Sequence, residues 1–168
     1  FMFNSKTFII AEIGNNHEGS FKVAKELVSK AAEAGVDAVK FQTFKVSEFL
    51  NKKSERFNFY KRLELNELEF FNLFEYAKKK GLFFISTPFD IPSAKFLAKF
   101  ADCIKIASAD IDYYPLVEIV AKLKKPTIIS TGMSNLSRVS TAYKNFSHLK
   151  KKKFRNYALC FSISSRFI

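Results

Sequence analysis

Cysteine is scarce in this chain, and the two present, Cys103 and Cys160, lie far apart. Their spacing matches no metal-binding or redox motif, so we expect unpaired thiols in a reducing compartment, the cytoplasm. Glycine is scarce too, with five residues. No Gly-x-Gly-x-x-Gly motif follows the first predicted strand, which argues against a dinucleotide-binding fold.

Long hydrophobic runs are also missing. No apolar stretch reaches the length of a bilayer, Glu12 interrupts the first one, and no secretory signal of the usual kind is found, so we expect no membrane partner. Acidic residues are outnumbered, and the net charge is +12. The lysines are scattered apart from a run at residues 150–153, which favours a solvated surface over a nucleic-acid site.

The length of 168 residues suits one domain. Apolar strand patterns alternate with amphipathic helix patterns, which is typical of an α/β fold with a parallel sheet. Ser20 is a plausible N-cap for the first helix, and residues 45–62 read as an irregular polar loop. The predicted strands are residues 8–13, 38–43, 83–87, 103–107, 127–130 and 157–162.

Polar residues stand at the carboxyl ends of successive predicted strands, namely Glu12, Gln42, Thr87, Ser108 and Thr131. In a TIM (β/α)₈-type barrel those ends converge on one mouth, whereas an open doubly wound sheet gathers only the ends near its switch point. We therefore favour the barrel. A full barrel has eight strands, and the sequence predicts about six, so we expect residues 1–168 to be an incomplete barrel domain.

Two lysines lie within apolar strands. In residues 38–43, Ala38, Lys40 and Gln42 share one face, and Lys105 is flanked by isoleucines in the fourth strand. A buried ammonium is costly unless an anion compensates it. The lysines therefore bind a negatively charged ligand, or they pair with Glu12 and Asp110 in a structural network.

Five motifs together resemble the sialic acid synthase family. They are residues 10–19 (IAEIGNNHEG), 39–43 (VKFQT), 86–90 (STPFD), 105–108 (KIAS) and 130–133 (STGM), and they occur in the family's order. The resemblance implies condensation of phosphoenolpyruvate with an N-acetylated hexosamine-type aldose to give a nonulosonic, sialic-type acid and phosphate. The sequence does not identify the sugar.

The resemblance also implies residue roles. Lys40 and Lys105 match the phosphoenolpyruvate-binding lysines, and two fixed cations with hydroxyl donors suit a ligand that carries a carboxylate and a phosphate. Gln42, Thr87 and Ser108 match positions near that ligand. Glu12 matches a carboxylate that hydrogen-bonds the sugar. Asp110 stands where the family usually has a glutamate, so it keeps the carboxylate on a shorter arm.

The family uses a divalent metal, Mn or Mg, held by histidines on later strands, and the match ends before them. We expect neither His17 nor His148 to replace these ligands. A small carboxy-terminal antifreeze-like domain of the homodimeric family is not matched either. The sequence thus predicts a truncated synthase that has no activity as this fragment.

Other interpretations remain open. His17 is expected to order a loop by hydrogen bonding rather than to act as a base. Two different function classes also fit the basic barrel. One is an aldolase that forms a lysine Schiff base, which needs a lysine with a depressed pKa in an apolar pocket. The other is a non-catalytic basic binding protein with salt-dependent affinity.

Overall fold

Strands and helices alternate through the chain in a computed structural model that describes residues 7–149 and 157–160. The strands are β1 (Ile10–Gly14), β2 (Ala38–Thr43), β3 (Phe83–Pro88), β4 (Cys103–Ile106), β5 (Thr127–Ser130) and β6 (Tyr157–Cys160). The helices are α1 (Phe21–Glu33), α2 (Val46–Phe49), α3 (Phe57–Leu63), α4 (Glu67–Lys79), α5 (Ile91–Leu97), α6 (Tyr114–Lys122) and α7 (Leu136–Leu149). A 3₁₀ turn, Ser108–Asp110, follows β4.

The six strands form one parallel sheet in which each strand pairs with the next along the chain, from β1 to β6. This consecutive order is that of a TIM-type barrel, because a doubly wound sheet reverses its order at a switch point. All carboxyl ends therefore lie at one rim. Any site built from several strand ends belongs there.

Side chains from the strands divide into two layers. Val39 and Phe41 of β2 pack with residues of α1 and α4 in a large outer core. Ala38, from the same strand, packs instead with Ile85, Cys103 and other residues of the inner face. This alternation confirms the predicted two faces of β2, and it places Lys40 and Gln42 on the inner face.

The prediction of an irregular loop over residues 45–62 is wrong, since α2 and α3 form there. Each helix is too short for its apolar residues to repeat several times at helical spacing, so the local pattern does not reveal it. Their aromatic rings pack against neighbours outside the segment. Phe49 lies 5.4 Å from Phe44 and 6.0 Å from Phe89, measured between ring centroids. Tertiary packing stabilises these helices.

Two sequence predictions reach beyond the described residues. The lysine run at residues 150–153 lies outside them, and so do positions 161 and 162 of the predicted sixth strand, which is described as Tyr157–Cys160. Among the described helices, none combines the length and the hydrophobicity needed to cross a bilayer.

Asp90 joins the ends of two neighbouring strands. Its side chain caps α5 by accepting hydrogen bonds from Ser93 N at 2.6 Å and Ser93 Oγ at 2.8 Å. It also accepts from Lys45 N, just after β2, at 2.8 Å. Because Asp90 is buried, water cannot take its place as the acceptor for these donors. The Asp of the STPFD motif is thus a structural tie at the rim.

We expect Asp90→Ala to lower the free energy of unfolding by about 3 kcal/mol, because it leaves buried donors unpaired. Asn66→Ala is the matched control: Asn66 caps α4 on the exposed surface, and its loss is expected to cost about 1 kcal/mol. Urea unfolding followed by circular dichroism measures both. Equal losses of unfolding free energy in the two variants would contradict the structural role of Asp90 at the rim.

Candidate active site

Lys40 and Glu12 form an ion pair across the first two strands. The parallel register places Glu12 directly opposite Lys40, and Lys40 Nζ donates to Glu12 Oε1 at 2.6 Å. Lys40 is buried, while the Glu12 side chain is 56% exposed. The carboxylate therefore links a buried cation to the open side of the rim.

Burial is the main influence on the Lys40 ammonium, and it lowers the pKa of this group below the usual lysine value. The hydrogen bond and the charge of Glu12 oppose that change and raise the pKa of Lys40. Lys105 lowers it further through charge repulsion. Glu12 thus offsets the cost of burying Lys40 only in part, and a further anion would stabilise the charged form of Lys40.

Lys105 lies on the same inner face as Lys40. Ile85 pairs with both Lys40 and Cys103, and Lys105 follows Cys103 by two residues toward the carboxyl end of β4. Within the residues that the structure describes, its side chain makes no hydrogen bond or ion pair. The structure thus places the two cations on one inner face, and Glu12 pairs with only one of them, Lys40.

Polar side chains of the neighbouring strand ends complete this group. Gln42 is opposite Thr87 in the register. Thr87 is buried, and its Oγ1 has no hydrogen-bond partner among the described residues. Ser108 begins the 3₁₀ turn after β4. An unpaired buried hydroxyl on the same face as two lysines is suited to bind an oxygen of an anionic ligand.

Asp110 ends the 3₁₀ turn, and its Oδ2 is buried without a partner in the described part of the chain. Burial first, and repulsion from Asp112 second, raise the pKa of this carboxyl. No ion pair with Lys105 is found among the described residues. The structural network considered from the sequence is therefore present between Lys40 and Glu12 only.

A divalent metal has no ready site among the described residues. In residues 7–149 and 157–160, no three His, Cys, Asp or Glu side chains come close enough to hold one. The described donors are mainly ammonium, amide and hydroxyl groups, which suit an anion rather than a cation. The predicted Mn or Mg stays an expectation from the resemblance.

Sequence reasoning named Asn15 only as part of a motif, yet its side chain reaches the site. Asn15 Nδ2 donates to Gln42 Oε1 at 2.6 Å. The available signal was its position directly after β1, at the rim.

His17 is buried in the same loop, and its Nδ1 accepts a hydrogen bond from Gly19 N at 3.0 Å. Burial lowers the pKa of His17, with Glu69 acting in the opposite direction. A neutral ring that holds the backbone of its own loop agrees with the predicted loop-ordering role.

Comparison with known proteins extends this description. A model described as the NeuB family matches residues 27–165. An uncharacterized protein of Methanocaldococcus jannaschii is 50% identical over 139 residues, which cover 82% of this chain and 41% of that protein. An N,N'-diacetyllegionaminic acid synthase of Legionella pneumophila is 42% identical over 150 residues, which cover 80% of this chain and 42% of the synthase.

Among solved structures, an N-acetylneuraminic acid (sialic acid) synthetase of Leptospira borgpetersenii, crystallised with citrate, superposes with a TM-score of 0.87 at 34% identity. The match covers 96% of this chain and 55% of that protein. It supports the TIM-barrel-type α/β fold that the strand order indicates. The chain spans less than half the length of each of the two curated relatives named above.

Substitutions on either side of Lys40 are expected to move its pKa in opposite directions. Glu12→Gln removes the hydrogen bond and the charge that raise it, so the pKa of Lys40 falls. Lys105→Met removes a repelling cation, so the pKa of Lys40 rises. Titration of the ¹³Cε resonance of Lys40 by NMR measures both changes. Exposed Lys30 serves as the internal control, and movement of Lys40 in the same direction in both variants would contradict the arrangement.

Proposed function

We propose that this chain, which belongs to the NeuB family, carries the phosphoenolpyruvate-binding part of a synthase that makes a nonulosonic acid. In the proposed reaction, phosphoenolpyruvate condenses with an N-acetylated hexosamine-type aldose, and phosphate is released. A named relative, the synthase of Legionella pneumophila, supports this class of product. Because the chain covers part of its relatives, the activity belongs to the whole protein.

The observation that carries the proposal is the charge balance of the inner face. Lys40 and Lys105 supply two ammonium groups, and Glu12 is the only carboxylate that pairs with either among the described residues. A ligand with a carboxylate and a phosphate would neutralise both cations at once. Thr87 and Ser108 stand at the neighbouring strand ends to donate hydrogen bonds to its oxygens.

Binding of this ligand would also release Glu12. In the free protein its carboxylate accepts from Lys40, but the Glu12 side chain is more than half exposed. A ligand anion that takes over Lys40 leaves the Glu12 carboxylate able to accept hydrogen bonds from sugar hydroxyls. The sugar aldehyde would then be held above the enol carbon, in position for attack.

The chemistry requires one new carbon–carbon bond and the transfer of two protons. The enol carbon attacks the aldehyde carbon, and the aldehyde oxygen takes a proton. Water adds at the adjacent cationic carbon and gives up one proton. The bond from that carbon to the phosphate oxygen then breaks, and the remaining hydroxyl proton leaves with the phosphate, so that a ketone is formed. Asp110 is a candidate for proton transfer or for orienting the water, because its raised pKa keeps the carboxyl protonated to higher pH than usual.

From the resemblance to the family, we also propose the compartment, the oligomeric state and the metal of the complete protein. The complete protein is proposed to be a cytoplasmic homodimer that uses Mn or Mg. Within the described residues, the buried Cys103 is a thiol and forms no disulfide, which is compatible with a reducing compartment.

A Schiff-base aldolase is the second candidate, and one observation favours it: the pKa of buried Lys40 is lowered, as a nucleophilic amine requires. The Glu12 carboxylate at 2.6 Å acts against it, because it stabilises the ammonium and raises that pKa. We therefore prefer the anion-binding role for Lys40.

Binding of phosphoenolpyruvate to the 168-residue chain tests the main proposal. Calorimetry at low ionic strength is expected to show that Lys40→Met and Lys105→Met each weaken binding at least about tenfold, since each removes a charge-assisted contact. Lys95→Met, which removes an equal charge from the exposed face of α5, is expected to change it less than about twofold. Affinity should fall as pH rises through the lowered pKa of Lys40, before ordinary lysines titrate.

Equal weakening in all three variants would contradict the site. Binding of nucleic acid with steep salt dependence and no preference for phosphoenolpyruvate would support a non-catalytic basic protein instead.

Borohydride reduction separates the second candidate. The chain is incubated with pyruvate and treated with sodium borohydride, and its intact mass is measured by mass spectrometry. We expect no covalent adduct, because the Lys40 ammonium is held by Glu12. An adduct that disappears in Lys40→Met and persists in Lys95→Met would instead establish the Schiff-base aldolase.

A further inference from the structure

The side-chain amides of Asn15 and Gln42 form a hydrogen bond at the rim. Asn15 Nδ2 donates to Gln42 Oε1 at 2.6 Å across 27 positions of sequence. Asn15 Oδ1 is buried without a partner in the described part of the chain. Reversing the Asn15 amide would bury two unpaired donors instead of one unpaired acceptor, so the observed orientation is the less costly one.

This contact decides what Gln42 offers to a ligand. Its carbonyl oxygen is occupied by Asn15, so its NH₂ group is the free end. Gln42 Nε2 and Glu12 Oε1 lie 4.0 Å and 3.8 Å from the point where a Cβ at Gly14 would be. Since Gly14 has no side chain, a donor and an acceptor both lie near the position that a Cβ would occupy at the end of β1.

We propose that Asn15 is a positioning residue that fixes the Gln42 amide with its NH₂ toward the rim, so that the site presents a donor beside the Glu12 acceptor. The inference rests on the proposed function, since the ligand that meets this pair is the sugar. The pair selects a sugar that places a carbonyl or hydroxyl oxygen toward Gln42 and a hydroxyl proton toward Glu12.

Asn15 belongs to the loop that precedes α1, and this loop lies against α3. Asn15 lines a cavity of about 580 Å³ together with Asn16, Glu18, Phe59, Tyr60, Arg62 and Leu63. Gly19, in the same loop, packs so closely on α3 that an added Cβ would lie 1.8 Å from Arg62 O. This close contact and the hydrogen bond from Glu18 N to Asn15 O at 2.9 Å hold the loop backbone near Asn15 in place.

Asn15→Asp tests the inference directly. Two carbonyl-type oxygens cannot share the 2.6 Å contact, so Gln42 is expected to turn its NH₂ toward the introduced carboxylate and its oxygen toward the rim. Asn16→Asp is the matched control, because it adds the same charge one residue away on an exposed side chain of the same loop. Gln42→Glu removes the donor without altering Asn15.

The first readout needs no ligand. The side-chain NH₂ signals of Gln42, assigned by their loss in Gln42→Glu, are followed in ¹⁵N–¹H NMR spectra of the chain. One proton is expected to shift downfield in Asn15→Asp, as it bonds to a carboxylate, and to stay in place in Asn16→Asp. Unchanged Gln42 signals in a folded Asn15→Asp variant would overturn the inference.

The second readout is binding of N-acetylmannosamine at saturating phosphoenolpyruvate. Asn15→Asp and Gln42→Glu are each expected to weaken it at least about tenfold, whereas Asn16→Asp is expected to change it less than about twofold. Equal weakening by Asn16→Asp would overturn the inference, because charge alone would explain it. If the unaltered chain binds neither compound, the proposed function fails, and the NMR signals still decide the role of Asn15.

Discussion

The buried ammonium of Lys40 is the constraint on which the site depends. Taking a lysine out of water is unfavourable, and here burial is the largest influence on its pKa. Glu12 compensates it from the adjacent strand, and only a parallel register that sets Glu12 opposite Lys40 permits this. The order of the first two strands and the charge of the site are therefore linked.

Lys105 makes the compensation incomplete. It adds a second positive charge near Lys40, and no carboxylate among the described residues pairs with it. The free protein thus holds repelling cations on one inner face, which a doubly anionic ligand would relieve. A site arranged in advance for charge that arrives with the ligand needs little rearrangement on binding.

Around these charges, the strands and the loops contribute differently. The strands place Lys40, Gln42, Thr87 and Lys105 on one face by alternation, and their backbones are fixed by the sheet. The loops determine how these groups are used. Asn15 orients the amide of Gln42, and Asp90 ties the end of β2 to α5. Loop residues therefore control which atoms a ligand meets, while strand residues control where the charge lies.

Much of this site was predictable because alternation is a local property. The pattern of residues 38–43 is sufficient to assign Lys40 and Gln42 to one face and Phe41 to the other, and the structure agrees. The barrel order also follows from strands that alternate with helices and carry polar ends. The burial of the Asp110 Oδ2 atom and the turn that positions it were not predictable, because a three-residue 3₁₀ turn has no period to detect.

The sequence by itself thus determined the strand pattern, the polar strand ends and the two inward lysines, since each depends on spacing along a single segment. Only the tertiary structure decided that Glu12 pairs with Lys40 rather than Asp110 with Lys105, that Asn15 meets Gln42, and that α2 and α3 form over residues 45–62. These features join residues from separate segments. Their geometry depends on register and packing, which no local pattern contains.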